Sequence, residues 1–209
     1  MKLVCIADTH GRHRDVDLPK GDVLIHAGDI SVHGERQAFE DFNRWIYDLG
    51  FDIVLFTMGN HDRCRATMIQ KLVPNGLMLN DTDWKYMGLK FYGSPQTPSV
   101  WDTKEEYCYI RHDYEDAQKI WDKIPDDTDV LITHGPPLGI LDFVDKKNEE
   151  VGCSVLLDRV LEVKPKVHIF GHIHESNGYI NQRYGIKFVN CAQMDGEFSM
   201  TNKPIVVEI

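Results

Sequence analysis

Five short segments of the 209-residue chain gather the side chains that bind metals and move protons. They are Asp8-Thr9-His10, Gly28-Asp29, Gly59-Asn60-His61-Asp62, Thr133-His134-Gly135 and Gly171-His172-Ile173-His174, each following a short apolar run. Imidazole, carboxylate and amide together suit first-row ions such as Mn²⁺, Fe or Zn²⁺ better than Ca²⁺, which takes oxygen ligands alone. There are too many ligands for one ion. Shared between two ions about 3.5–4 Å apart, they would make a hydrolytic site whose metals clamp the attacking and leaving oxygens of a phosphoryl group. Side chains of an extended segment alternate with period two, so Asp8 and His10 point the same way, as do His172 and His174. Without a compensating cation, carboxylates gathered this closely would repel and raise each other's pKa.

The elements that must position these residues follow an α/β pattern. Leu3–Ala7, Val23–Ala27, Ile53–Met58, Val130–Thr133 and Val167–Phe170 read as buried strands, rich in β-branched and aromatic residues. Glu35–Leu49, Asp113–Ile124 and Glu150–Val163 carry apolar residues at helical spacing. In open α/β sheets the loops at the carboxyl ends of strands share one crevice, and all five segments lie in such loops. Residues 86–90 read as a hairpin, and a second places Tyr179-Ile180 opposite Phe188-Val189 across Arg183-Tyr184-Gly185. Strands outside the βαβ pattern imply a second sheet. No repeat, low-complexity tract or linker divides the chain, so residues 1–209 read as one domain. The Ser94–His112 stretch, with Pro95, Pro98, Trp101, Tyr107 and Tyr109, reads as an ordered loop that either faces substrate or pins itself to the core.

Composition narrows the partners. Hydrophobic residues make up 42% and charged residues 27%, an ordinary globular balance. A net charge of −10 argues against an extended duplex nucleic acid, whose affinity rests on cationic side chains. A small phosphate ester fits if metal ions supply the positive charge. Cys5, Cys64, Cys108, Cys153 and Cys191 form no C-x-x-C pair and suggest a reducing compartment. The apolar run at residues 3–7 is too short for a signal core or a membrane span. A cytoplasmic protein with no membrane partner is expected.

In order, the five segments resemble the D-x-H, G-D, G-N-H-[DE], H and G-H-x-H signature of the calcineurin-like metallophosphoesterase superfamily. The resemblance extends to its metallophosphoesterase-domain-containing (MPPED) branch and to small class III-type phosphodiesterases. It is carried by Gly93-Ser94-Pro95, residues 127–142 (DTDVLITHGPPLGILD), Val151-Gly152-Cys153, residues 163–175 (VKPKVHIFGHIHE) and residues 202–207. It implies a four-layered αββα sandwich, two mixed β-sheets flanked by helices, with a dinuclear centre at the sheet edges. The implied cofactors are two divalent ions, Mn first and Fe or Zn as alternatives. By the same resemblance Asp8, His10, Asp29 and His174 would hold the first ion. Asp29 would bridge to the second, held also by Asn60, His134 and His172. A bridging water would supply the hydroxide nucleophile, and His61, rather than being a ligand, would be the catalytic residue that stabilises the transition state or protonates the leaving alkoxide.

Two departures qualify the resemblance. Protein phosphatases of the superfamily read G-D-x-x-D-R-G, whereas this chain reads Gly28-Asp29-Ile30-Ser31-Val32-His33-Gly34. It lacks the phosphate-binding arginine and the aspartate that would orient the catalytic histidine. Some MPPED members carry glycine where this chain has His172. Among the other histidines, His26 and His168 read as core or orienting groups within strands, and His112 stands beside Asp113 at a helix start. His13 and His33 follow metal motifs and join Asn60 as candidates for contacting substrate phosphate. Asp62 and Thr133 read either as orienters of ligands or as turn residues. The leading function is a phosphodiesterase on small diesters, cyclic nucleotides or short nucleic-acid fragments. A phosphomonoesterase on nucleotides or small metabolites is the alternative, and a silent interaction scaffold, which would normally have lost ligands, is the third reading.

Overall fold

The computed structural model describes residues 1–98, 110–111 and 114–209. In chain order the first strands are β1 (Lys2–Ile6), β2 (Val23–Ala27), β3 (Ile53–Thr57), β4 (Leu77–Met78), β5 (Thr82–Tyr86), β6 (Leu89–Ser94), β7 (Thr97–Pro98) and β8 (Ile110–Arg111). They are followed by β9 (Val130–Thr133), β10 (Phe143–Val144), β11 (Glu149–Glu150), β12 (Val167–Phe170), β13 (Gly178–Arg183), β14 (Ile186–Asn190) and β15 (Ile205–Glu208). Helices α1 (Arg36–Tyr47), α2 (Ala66–Leu72), α3 (Tyr114–Trp121) and α4 (Ser154–Val163) lie between strands.

Two mixed sheets result, ordered β15-β1-β2-β3-β4 and β13-β14-β12-β9-β6-β5, with β7-β8 and β10-β11 as small pairs. β1 to β4 are parallel and β15 closes the edge antiparallel. In the second sheet β14, β12, β9 and β6 are parallel, with antiparallel hairpins at both edges.

Strand alternation explains the layering. Leu3, Cys5 and Ala7 enter a core shared with Val130, Ile132, Val167 and Ile169 of the other sheet. Val4 and Ile6 face the opposite way, against Phe39, Phe42, Trp45 and Ile46 of α1 and Ile69 of α2. On the far side of the second sheet, Leu131, Phe170 and Phe188 pack against α3 and α4. Strands buried on both faces need near-continuous apolar runs, which is what β1, β2, β3, β9 and β12 have. Helix, sheet, sheet and helix form the four layers expected.

The hairpin at residues 179–189 has the expected register, with Tyr179 opposite Val189 and Ile180 opposite Phe188. α4 starts four residues later than its apolar period suggests. Glu149 and Glu150 are taken by β11, and the Cys153 sulfur caps the helix by accepting the Leu156 N–H. Of the Ser94–His112 stretch, Trp101, Tyr107, Tyr109 and His112 lie outside the described residues. Among the described residues, no helix is long and apolar enough to cross a membrane.

The two sheets meet at their carboxyl ends. Ala7, just past β1, bonds through its N–H to the Cys191 carbonyl and through its carbonyl to the Gln193 N–H, both 2.9 Å. This bridge sets the loops of the first sheet beside those of the second.

Candidate metal centre

The five motif loops interlock through their backbones. The Asp8 N–H donates to the Gly28 carbonyl (2.9 Å), His10 N–H to the Asp29 carbonyl (3.1 Å) and Gly171 N–H to the His134 carbonyl (3.0 Å). The buried Asp62 carboxylate staples two loops by accepting from the N–H groups of Ile30 (3.2 Å), Ser31 (2.8 Å) and Gly59 (3.1 Å), and from the Ser31 hydroxyl (2.8 Å). Asp62 therefore orients ligand loops, and burial near Asp29 raises its pKa to about 6. Crowding has a backbone cost. Asp8, His10, Asp29 and His172 have φ of 53°, 43°, 56° and 69°, a region non-glycine residues seldom occupy and which concentrates at functional sites. At Gly28, with φ 102°, a Cβ would lie 2.5 Å from His134 Nδ1, so only glycine fits there. A Cβ at Gly171 would collide with the Asp8 carboxylate.

Around this scaffold eight predicted side chains converge. Asp29 Oδ2 lies 3.4 Å from His134 Nε2 and 3.9 Å from His10 Nε2, a position between two groups of ligands. Asp8 Oδ1 faces His174 Nε2 at 3.4 Å, while its Oδ2 accepts the His172 N–H at 2.9 Å. Asn60 Oδ1 is 2.9 Å from His134 Nε2, and the His172 ring stands 5.0 Å from that of His134. His61 lies edge-on to His10 at 4.9 Å, and its N–H donates to Asp29 Oδ1 at 2.9 Å. The His61 Nδ1–H donates to the Val32 carbonyl at 2.8 Å. A backbone carbonyl thus orients this ring where protein phosphatases would use an aspartate.

Carbonyl partners also fix the ligand-type imidazoles, because a carbonyl only accepts. The Nδ1–H of His10, His134 and His174 donates to Ser31, Ala27 and Asp195 carbonyls at 3.2, 2.9 and 3.3 Å. Each Nε2 is left facing the cluster. Asp8 Oδ1, His10 Nε2 and His172 Nε2 are buried there without hydrogen-bond partners. His134 Nε2 meets two oxygens at once, an arrangement that suits a proton or a metal ion and no uncharged alternative.

The protonation pattern gives the same reading. Burial opposes charge on Asp29, yet the facing His134, His10 and His61 hold its carboxyl well below the usual range. Burial likewise opposes charge on His134, but Asp29 and Asp8 lift it to about 9. Burial and the neighbouring His134 push His172 down to about 3. The ligand atoms of Asp8, His10 and His174 lie within 4.8 Å of one another, as do those of Asp8, Asp29 and His134. Mixed nitrogen and oxygen donors, two such groups and partnerless inward-facing atoms fit a pair of divalent ions.

Not every expectation survives. The His13 ring is fully buried against Phe42 and Trp45 with Nε2 3.0 Å from Asp41, so it anchors α1 instead of facing substrate. His33 is exposed and stacks on His61 at 6.5 Å, at the rim of the cluster. Sequence reasoning missed Phe198, whose ring lies 4.9 Å from His174 and 5.7 Å from His10. Its only signal was an aromatic residue in the otherwise mostly polar run at residues 195–201.

A four-layered sandwich with this centre at its sheet edges defines a class, and the chain belongs to the calcineurin-like phosphoesterase family, whose model matches residues 1–176. It is a metal-dependent phosphoric ester hydrolase. Over its whole length it is 34% identical to human metallophosphoesterase domain-containing protein 1, covering 71% of that protein. It is also 34% identical to the UPF0046 protein K07C11.7 of Caenorhabditis elegans, covering 75% of it. The fold is shared with TT1561 of Thermus thermophilus, at a TM-score of 0.64 and 12% identity over 90% of this chain and 88% of that one.

Proposed function

We propose that the protein is a phosphodiesterase acting on small diesters, cyclic nucleotides or short nucleic-acid fragments, with two divalent ions, Mn²⁺ foremost. One observation carries the preference for diesters. Among the described residues, the charged groups that act most strongly on Asp8, His10, Asp29, His134, His172 and His174 are the cluster's own carboxylates and imidazoles, with no lysine or arginine among them. A monoester brings an extra negative charge that such a site is poorly furnished to neutralise.

Asp8, His10, Asp29 and His174 would hold the first ion, with Asp29 bridging to a second held by Asn60, His134 and His172. Bound ions supply Lewis acidity, neutralising phosphoryl charge and lowering the pKa of the attacking water. The chain supplies the rest. Carbonyl bonds to Nδ1–H hold His10, His134 and His174 in the tautomer that keeps Nε2 for a ligand role. The Val32 carbonyl fixes Nδ1–H of His61, leaving Nε2 to deliver a proton to the leaving oxygen. The His61 N–H on Asp29 ties that acid to the bridging carboxylate. Imidazole-rich donors favour Mn²⁺ over Mg²⁺.

Comparing kcat/KM for matched diesters and monoesters across several leaving groups tests the reading. Diesters should lead. A consistent lead for monoesters would establish the phosphomonoesterase alternative.

A further inference from the structure

We propose that Phe198 is the specificity-determining residue of this site, a stacking surface for the nucleobase of a nucleotidic substrate. The inference rests on the phosphoesterase site described above and adds to it a group that reads the organic part of the ester. Phe198 is 57% exposed, yet its ring is held against His174 and His10, two side chains assigned to one ion. A phosphoryl group bound at that ion would place a nucleobase about one sugar ring away, within reach of the open face of the phenyl ring.

The ring is held there by a costly device. Phe198 has φ 58°, an outlier for a bulky side chain, and glycine or asparagine would fill the turn with less strain. The turn is closed by Phe198 N–H on the Asp195 carbonyl and Asp195 N–H on the Ser199 carbonyl, both 2.9 Å. The Asp195 carboxylate accepts from the Glu197 and Ser199 N–H groups at 3.0 and 2.9 Å and from the Thr201 hydroxyl at 3.1 Å. Its carbonyl also receives Nδ1–H of His174 at 3.3 Å. The turn that aims the phenyl ring is therefore attached directly to the metal-binding cluster. A mere apolar cover for the imidazoles would not need a planar face, and leucine would serve as well. A stacking surface needs the ring, and it tolerates any base because every base has a π face.

Calorimetric titration of adenosine monophosphate and ribose phosphate into the Mn²⁺-loaded protein reads this without turnover. Wild type should bind the nucleotide at least about tenfold more tightly, the low-to-middle range of base–aromatic stacking. Phe198→Leu should remove most of that difference, whereas Phe198→Tyr should keep it. With cyclic adenosine monophosphate and its base-free ribose analogue, the kcat/KM ratio should fall about tenfold in Phe198→Leu. That loss should lie in KM, as expected for a contact made equally in ground and transition states. Equal wild-type affinity for nucleotide and sugar phosphate, or retained discrimination in Phe198→Leu, would overturn the proposal. Neither result bears on diester preference, because a monoesterase, which would turn both titrants over, would show the same Phe198-dependent discrimination as a difference in KM between adenosine monophosphate and ribose phosphate.

Discussion

The histidines at the strand ends differ from those inside the strands. His134 and His172 stand at the ends of β9 and β12, whereas His26 and His168 lie within β2 and β12. His26 and His168 are fully buried and pushed down to about 3 by burial. Their neighbours are phenyl rings and hydroxyls. His168 lies 4.9 Å from Phe170, and His26 lies edge-on to Phe42 at 5.4 Å. The Thr133 hydroxyl donates to the Gly135 carbonyl at 2.6 Å, so its oxygen accepts from His168 Nε2 at 2.8 Å. His26 Nε2 and the Thr9 hydroxyl share a hydrogen bond of 2.9 Å. Each interior histidine thus fixes a threonine adjoining a ligand, one strand away from the cluster. His134 is as buried as either, but it faces Asp29, and its pKa goes up instead of down. Burial makes a histidine neutral, and a facing carboxylate makes it a seat for a cation.

The widest gap between the two settings should open when metal is removed. Chelation is expected to abolish phosphoesterase activity, and Mn²⁺ should restore it better than Mg²⁺. Full activity in a sample shown to be metal-free by elemental analysis would erase the distinction altogether. Next in size is His61, a histidine beside the cluster but pinned by Val32. His61→Ala should lower kcat by about 10²- to 10⁴-fold while two ions remain bound, the range for a positioned acid. Loss of an ion in that variant would move His61 into the ligand set.

Much of this division was legible in the sequence. The strands were visible because parallel strands buried on both faces leave continuous apolar runs, and the ligands because they cluster directly after those runs. The interior positions of His26 and His168 were readable for the same reason. Other parts depend on tertiary context. His13 was indistinguishable from a site residue because α1, which supplies Asp41 to bind it, is distant in sequence. The role of Asp62 required knowing that the loops after β2 and β3 meet. α2, with seven residues, was too short for its period to stand out. The Val32 carbonyl that orients His61 has no sequence signature, since every residue carries one.

His172 lies between the two settings, with an interior-type pKa but a partnerless Nε2 in the cluster. If it is a ligand, His172→Gly should weaken the second ion at least about tenfold, while the first stays loaded by Asp8, His10, Asp29 and His174. Activity should then require more added Mn²⁺. His174→Ala should be worse, because it strips the ion that holds Asp29 from the other side. Calorimetric metal titrations of both variants provide the check. Unchanged affinity at both sites in His172→Gly would place His172 with the interior histidines.

The smallest effect belongs to an interior histidine and concerns stability. His168 stays neutral in the fold down to about pH 3, but in the unfolded chain it takes up a proton near its ordinary value of about 6.5. Its folded pKa is depressed, so above about 6.5 it adds no pH dependence. As pH falls from about 6.5 towards 3, the unfolded state gains the extra proton and stability is lost. At pH 5 the loss from this one group is about 2 kcal/mol relative to neutral pH. Asp62, raised to about 6, acts with the opposite sign, but it is common to wild type and variant and cancels in their difference. His168→Phe keeps an aromatic in the space while removing the titrating group. Its urea midpoint should fall less between pH 7.5 and pH 5 than that of wild type, by the equivalent of about 2 kcal/mol in metal-free protein. It should still bind two ions. The same pH slope in both proteins would show that His168 is protonated in the fold, and loss of an ion would show that interior and strand-end histidines are not separable.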